Sequence, residues 1–448
     1  MPVDSLFARM GEDLGKPAIL GDSERVTYGS LLDHVSNWDT RLKEAGVARG
    51  AIVGMTGEYS AESVSLFLAL LRVGAVAVIV GGTDTQNDEN LQVAEAQWFA
   101  SASMAKGWSI EPRAPGPPIN PVTIDFLGKA RPGLVIFSSG STGRPKGSLF
   151  DCLALLSRYT PRPPIRMLSF LLLDHIGGIN TLFYTLTSGG SVVTTQSRDP
   201  SEVCRIMAEH KVELLPVSPT FLKMMLISGA HTRHDLSSLR MITYGTEVMP
   251  ESVLLQLRAA LPNVELKQMY GTTELGILRS QSRESGSVWV RLGGEGYETK
   301  VLDGILWVRS KTSMIGYLNA PYPFDSEGWM NTHDRVEVDG EYLRVLGRES
   351  NLINVGGEKV YPAAVESVLL TMPNVVDATV VGRSNPLTGK IVSARLTLVD
   401  HEEPSALLNR VREFCAGKLS EFQIPMHVEV VGQQPVSLRF KKIRDTTS

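Results

Sequence analysis

The sequence predicts an α/β protein. A large N-terminal domain of parallel sheets flanked by helices ends in a small β subdomain, and a small α+β lid follows at the C-terminus. Three observations carry this expectation. Short apolar runs alternate with amphipathic helical patterns as far as Met269, the signature of parallel strands crossed by helices. From Ser287 the texture changes to short strand-like runs separated by turn residues. Beyond Gly347-Arg348-Glu349-Ser350-Asn351 there remains enough chain for a separate domain. With 448 residues the chain exceeds what one core supports. The expected division is 1–347, a hinge at 348–351, and 352–448, with the β subdomain at about 286–346.

Taken in order, Val26 to Ser30 reads as a strand end feeding an amphipathic helix through Leu31, Val35, Trp38 and Leu42. Ala51 to Met55 is a buried strand, Ala61 to Val73 a helix and Val76 to Val80 the next strand. Gly107 to Pro121 is rich in Pro and Gly and reads as a surface connection. Met167 to Leu173 is expected as a buried strand and Asn180 to Thr187 as a helix. Glu202 to His210 (helix), Glu213 to Val217 (strand) and Pro219 to Ile227 (helix) follow. Two strands, Ser238 to Tyr244 and Glu265 to Met269, run into small polar residues. Ligands of open parallel sheets bind beyond the carboxyl ends of the strands, so these ends are candidate site positions. Asp303-Gly304 and Asp339-Gly340 read as hairpin turns. In the lid, helices are expected at Pro362 to Leu370 and Pro404 to Phe422, and strands at Asp377 to Val381 and Ile391 to Val399.

The net charge of −4 gives no reason to expect a nucleic-acid partner, and 21% charged with 43% hydrophobic residues is ordinary for a globular enzyme. No apolar run reaches membrane-spanning length, so no integral membrane association is expected. The N-terminus lacks a basic segment followed by an apolar core, so no signal peptide is expected. Cys152, Cys204 and Cys415 are too isolated for a disulfide framework or a metal cluster. A cytoplasmic location is the expectation.

The element around which the chain is organised is Leu134 to Gly147. Leu134 to Phe137 is an apolar strand, and Ser138, Ser139, Gly140, Ser141, Thr142 and Gly143 offer backbone N–H groups and hydroxyls to an anion. Lys146 adds a point charge. A flexible linker of the same composition would not follow a buried strand and carry Pro145-Lys146-Gly147 at its end. The spacing departs from the Walker pattern, with Pro145 and Gly147 where Gly and Ser or Thr would stand.

Phe137-Ser-Ser-Gly-Ser-Thr-Gly-Arg-Pro-Lys-Gly147 resembles the signature loop of the adenylate-forming superfamily, which includes acyl- and aryl-CoA synthetases, adenylation domains and luciferase. The resemblance implies that ATP and a carboxylic acid give an acyl-adenylate and pyrophosphate, and that a thiol then takes the acyl group. Tyr270-Gly271-Thr272-Thr273-Glu274 matches a second family motif. It implies Tyr270 on adenine, Thr273 at the α-phosphate and Glu274, with Thr142, on magnesium. Gly245-Thr246-Glu247 is similar to the strand end beside adenine. Asn331-Thr332-His333-Asp334 resembles Thr-Gly-Asp, whose aspartate accepts from both ribose hydroxyls, with His333 in place of glycine. Arg348 is similar to an arginine that reaches ribose or phosphate.

By the same resemblance His175 is the gate of the acyl pocket, with Gly178, Thr243 and Gly276 as further pocket positions. Asp174 stands where amino-acid-activating relatives bind an ammonium. The C-terminal Arg439-Phe440-Lys441-Lys442-Ile443-Arg444 resembles the catalytic-lysine motif. Two registers fit it, one with Lys441 and one with Lys442 as the catalytic residue. Ser350 occupies the hinge and Gly356-Gly357 the loop that meets the acceptor thiol. The implied enzyme is an acid–thiol ligase using ATP, Mg2+ and coenzyme A. The alternatives are a stand-alone enzyme loading a carrier-protein phosphopantetheine, and a nucleotide-binding relative without catalysis. The small or apolar pocket positions point to an aromatic or medium aliphatic acid rather than a charged one. The oligomeric state is not legible.

Overall fold

The computed structural model describes residues 2–22, 24–103, 107–113, 116–138, 144–294 and 296–432. Two seven-stranded sheets form its frame. The first runs in the order Glu265–Gln268, Met241–Tyr244, Leu214–Val217, Arg166–Leu168, Ser191–Val193, Pro17–Leu20 and Arg25–Thr27, parallel except for the last strand. The second runs Gly316–Tyr317, Lys146–Asp151, Gly133–Ser138, Val76–Val80, Ile52–Thr56, Trp98–Ser103 and Gly107–Pro112, with four parallel central strands and antiparallel edges.

Both faces of each sheet are covered, which is why their strands are apolar without alternation of polarity. Ala77 and Ile79 join the central core while Val76, Val78 and Val80 join a second core on the far face. Val192 and Val193 divide in the same way between the central core and one behind the first sheet. The central layer is built by the helices Tyr28–Glu44, Ala61–Val73 and Ile176–Thr187. The last of these buries Ile179, Leu182, Phe183 and Leu186, each contributing about 1.5–3 kcal/mol. Caps fix where such helices begin: Ser60 accepts from Ser63 N, and Ser218 accepts from Phe221 N with Pro219 in the first turn.

A third, six-stranded antiparallel sheet spans strands from Ser280–Ser282 to Tyr342–Arg348. Beyond it the strands Ile353–Val355, Glu358–Val360, Val375–Asn385, Gly389–Leu398 and His427–Val430 form a fourth sheet, packed with the helices Pro362–Leu369 and Pro404–Cys415. The small C-terminal unit is tied to the large one by an ion pair between Lys223 and Asp377, which are 6% and 13% exposed at their side chains.

Several local expectations are corrected. The strand expected over Met167 to Leu173 ends at Leu168; the backbone turns out of the sheet, and Leu173 N bonds instead to Gly57 O at 3.1 Å. The connection expected at Gly107 to Pro121 contains an edge strand, Gly107–Pro112, where a terminal Pro costs no ladder bond, and the beginning of the helix Pro121–Leu127. The helix expected to Phe422 stops at Cys415, and Gly417 then takes φ +75°. After the signature loop comes the strand Lys146–Asp151, antiparallel to Gly133–Ser138 with Ser138 opposite Lys146. The two strands that flank the loop are therefore antiparallel neighbours in the sheet. The loop residues Ser139, Gly140, Ser141, Thr142 and Gly143 lie outside the described residues, as do Lys441 and Lys442.

Candidate active site

A cleft of about 1620 Å3 opens at the carboxyl ends of the first sheet and reaches the third sheet and the helix Pro362–Leu369. Its walls bring together Ser138, Lys146, His175, Thr243, Gly245, Thr246, Glu247, Tyr270 to Glu274, Asp334 and Arg348, residues drawn from six separate stretches of sequence.

The centre of the polar end is a chain of contacts. The Tyr270 hydroxyl donates to Asp334 Oδ2 at 2.6 Å, and Arg348 Nε lies 3.3 Å from Asp334 Oδ1. Tyr270 and Asp334 are both buried. Burial, then the negative charge of Asp334, pushes the Tyr270 hydroxyl well above its usual pKa, so it remains a donor. Burial opposes the charge on Arg348, but Asp334, Tyr270 and Glu274 outweigh it and hold its pKa above the usual value. Glu274 accepts from the Tyr317 hydroxyl, whose own pKa is raised by burial and by that carboxylate. Lys146 Nζ stands 5.3 Å over the Tyr317 ring. Two cations and two carboxylates thus face one space, an arrangement suited to a bound polyanion with its counter-cation.

His333 keeps the backbone that glycine would have there: its φ is +58°, at a cost of roughly 1–2 kcal/mol. The turn is held by Asn331 Oδ1 accepting from His333 N at 2.8 Å and Thr332 Oγ1 accepting from Asp334 N at 3.1 Å. Thr332 Oγ1 in turn donates to Leu306 O, so Asp334 is aimed by a rigid strand pair. Glu247 accepts from Thr220 Oγ1 at 2.6 Å, which ties the strand end at Gly245 and Thr246 to the start of the helix Pro219–Ile227. His175 Nδ1 accepts from Gly177 N at 2.9 Å, capping the helix Ile176–Thr187. That bond leaves Nε2 as the nitrogen able to carry the proton in the neutral ring.

Three expected pocket residues stand behind the wall instead of in it. Asp174 is buried against the ends of two strands of the second sheet: a Cβ on Gly81 would come within 2.4 Å of its Oδ2. It also faces Arg198, whose pKa burial lowers and Asp174 raises. Gly178 is required by packing, since a Cβ would meet Leu172 O at 1.8 Å. Gly276 is covered by Arg158, whose Nη1 would lie 2.3 Å from a Cβ. Among residues the sequence reasoning missed are Tyr317, Arg158, Asn180, Tyr184 and Lys267, all on the cleft wall. Lys267 had a signal: in Glu265-Leu266-Lys267-Gln268-Met269 the period of two sets it on the same face as Met269. Arg158 and Tyr317 had none, because long-range packing alone brings them in. Ser350 lies in a 3-10 turn, Glu349–Asn351, and is exposed.

The fold and this arrangement define a nucleotide-dependent enzyme of adenylate-forming architecture. Residues 6–97 and 84–318 match the AMP-binding enzyme family and residues 364–441 match the AMP-binding enzyme C-terminal domain. The chain belongs to the AMP-binding enzyme family of the adenylate-forming superfamily. Its activity class is that of the AMP-forming acid–thiol ligases. It is 27% identical to an indoleacetate–CoA ligase of Aromatoleum aromaticum, over 95% of this chain and 93% of that protein. It is 28% identical to a 2-succinylbenzoate–CoA ligase of Bacillus pumilus, over 93% and 92%. Among solved structures, the anthranilate CoA ligase AuaEII in complex with anthranoyl-AMP shares the fold with a TM-score of 0.84 at 22% identity, over 98% of this chain and 95% of that one.

Proposed function

We propose that the cleft activates a small carboxylic acid by attack of its carboxylate oxygen on the α-phosphorus of ATP, expelling pyrophosphate. The thiol of coenzyme A then attacks the acyl carbon, forming the thioester and releasing AMP. The observation that carries the residue assignments is the Tyr270–Asp334–Arg348 chain beside Glu274 and Lys146. Asp334 is held to accept the ribose hydroxyls, Tyr270 offers its ring to adenine, and Arg348 and Lys146 offset phosphate charge.

Hard oxygen donors suit magnesium; Glu274 supplies a carboxylate, and the hydroxyl of Thr142, in the signature loop, is assigned as its companion. Bound there, the ion would neutralise the charge of the pyrophosphate leaving group. Tyr317 holds the Glu274 carboxylate in place by its hydrogen bond. The strand end at Gly245 to Glu247 supports the adenine side and His175 borders the acyl side. Ser350 is assigned as the hinge within 348–351, between units 1–347 and 352–448. Its exposure leaves room for its backbone to turn. The buried free thiols Cys152, Cys204 and Cys415 suit a cytoplasmic location.

The acceptor is tested by mass spectrometry of products formed from ATP, an active acid and either coenzyme A or a phosphopantetheinylated carrier protein. The expected product is the CoA thioester. Acylated carrier with no CoA thioester overturns the choice of acceptor in favour of the carrier-loading reading.

A further inference from the structure

The cleft continues past His175 along the inner face of the first sheet. Residues of three neighbouring strands line it, and Pro216, Thr243 and Lys267 stand side by side in register. This row lies two residues, about 7 Å, below the strand ends at Gly245 and Met269. Asn180 and Tyr184, four residues apart on one stripe of the helix Ile176–Thr187, complete the passage.

Lys267 is half-buried, and among the described residues its ammonium makes no hydrogen bond, ion pair or ring contact. Arg158 is half-buried as well; it donates to Ile277 O and lies 5.1 Å over the Tyr297 ring, which uses only part of its five-donor fork. The carboxylates of the cleft are engaged elsewhere. Glu247 accepts from Thr220, Glu274 from Tyr317, Asp334 from Tyr270, and Glu366 from Val380 N. Among the described residues, then, no carboxylate forms an ion pair with Lys267. A partly desolvated cation gains most from an anion fixed within reach.

We propose that Lys267, seconded by Arg158, recognises a second carboxylate on the acid that is activated, so that the substrate is a dicarboxylic acid with an aromatic or short aliphatic spacer. This rests on the acid-activation reading, and it replaces the sequence-based expectation of an uncharged side group. The selectivity arises because an acid lacking the second anion leaves Lys267 desolvated and unmatched.

The test compares matched probes, the three benzenedicarboxylic acids, glutarate and adipate, each against its monomethyl ester, by pyrophosphate release with ATP. At least one diacid is expected to exceed its ester roughly ten- to a hundredfold in kcat/KM, the range of a charge-assisted contact. Lys267→Met is expected to collapse that ratio through KM, Lys267→Arg to retain it, and Lys267→Glu to invert it in favour of the esters. Melting curves identify any variant that has lost its fold, and Lys267→Gln then replaces Lys267→Met in the comparison. Equal use of diacids and esters by the wild type, or a diacid preference that survives both neutral variants, overturns the inference. Release with monoacids but none with diacids overturns it while leaving acid activation standing. Release with no acid of any kind overturns both.

Discussion

Glu274→Gln lowers acid-dependent pyrophosphate release at least about a hundredfold, the scale of losing one group that stabilises transition-state charge. The substitution keeps the size of the side chain and an acceptor for the Tyr317 hydroxyl, so the hydrogen bond that holds residue 274 is retained. What is lost is the charge facing Lys146 and Arg348 and the carboxylate assigned to magnesium. Attack of one anion on another needs that counter-charge, so kcat falls further than KM rises. The partner variant Tyr317→Phe keeps the carboxylate and releases only its orientation; its loss is expected to be several-fold. Near-normal turnover in Glu274→Gln, measured beside an unchanged melting curve, would mean that the carboxylate serves the fold alone.

The second large effect separates the two half-reactions. One of Lys441 and Lys442 is assigned to the reacting carboxylate and α-phosphate, where a mobile ammonium offsets charge. Thioester formation requires a different surface, Gly356-Gly357, at the same place, so the C-terminal unit must turn about Ser350. Alanine at the functional lysine is expected to lower adenylation at least about a hundredfold while largely sparing thioester formation from a supplied acyl-adenylate. Ser350→Pro is expected to do the reverse, because proline fixes the φ that rotation must change. The pair Lys223–Asp377 joins the two units in the present arrangement and must part or shift if they turn. Separate assays of the two half-reactions check this. Two silent lysine variants, or equal slowing of both steps by Ser350→Pro, would contradict it.

Much of the fold was legible because its signals are local. Strands buried on both faces carry unbroken apolar runs such as Val76 to Val80, and helices announce themselves by caps and spacing, as at Ser218-Pro219. Legibility failed where long-range packing decides. Leu172 and Leu173 are as apolar as strand residues, but close contact with Gly57 and Gly178 takes that segment out of the sheet. In the site, Tyr270, Glu274 and Asp334 were legible from contiguous motifs. The substitution of glycine by His333 looked like a departure, yet the hydrogen bonds of Asn331 and Thr332 impose the same left-handed turn. Asp174 was misplaced because sequence puts it beside His175 and cannot say that its side chain turns towards Gly81. Lys267 went unread although the period of two sets it on the face of Met269, because that pattern does not say that a groove lies above this face.

The central claim is that this cleft joins a carboxylic acid to AMP before any thiol takes part. Its most direct measurement is acid-dependent exchange of labelled pyrophosphate into ATP with no thiol present, over a panel of mono- and dicarboxylic acids. The account predicts exchange that requires a particular acid and magnesium, and that falls at least about a hundredfold in Glu274→Gln. Exchange with no acid in the panel, or exchange that proceeds equally without acid, would contradict it.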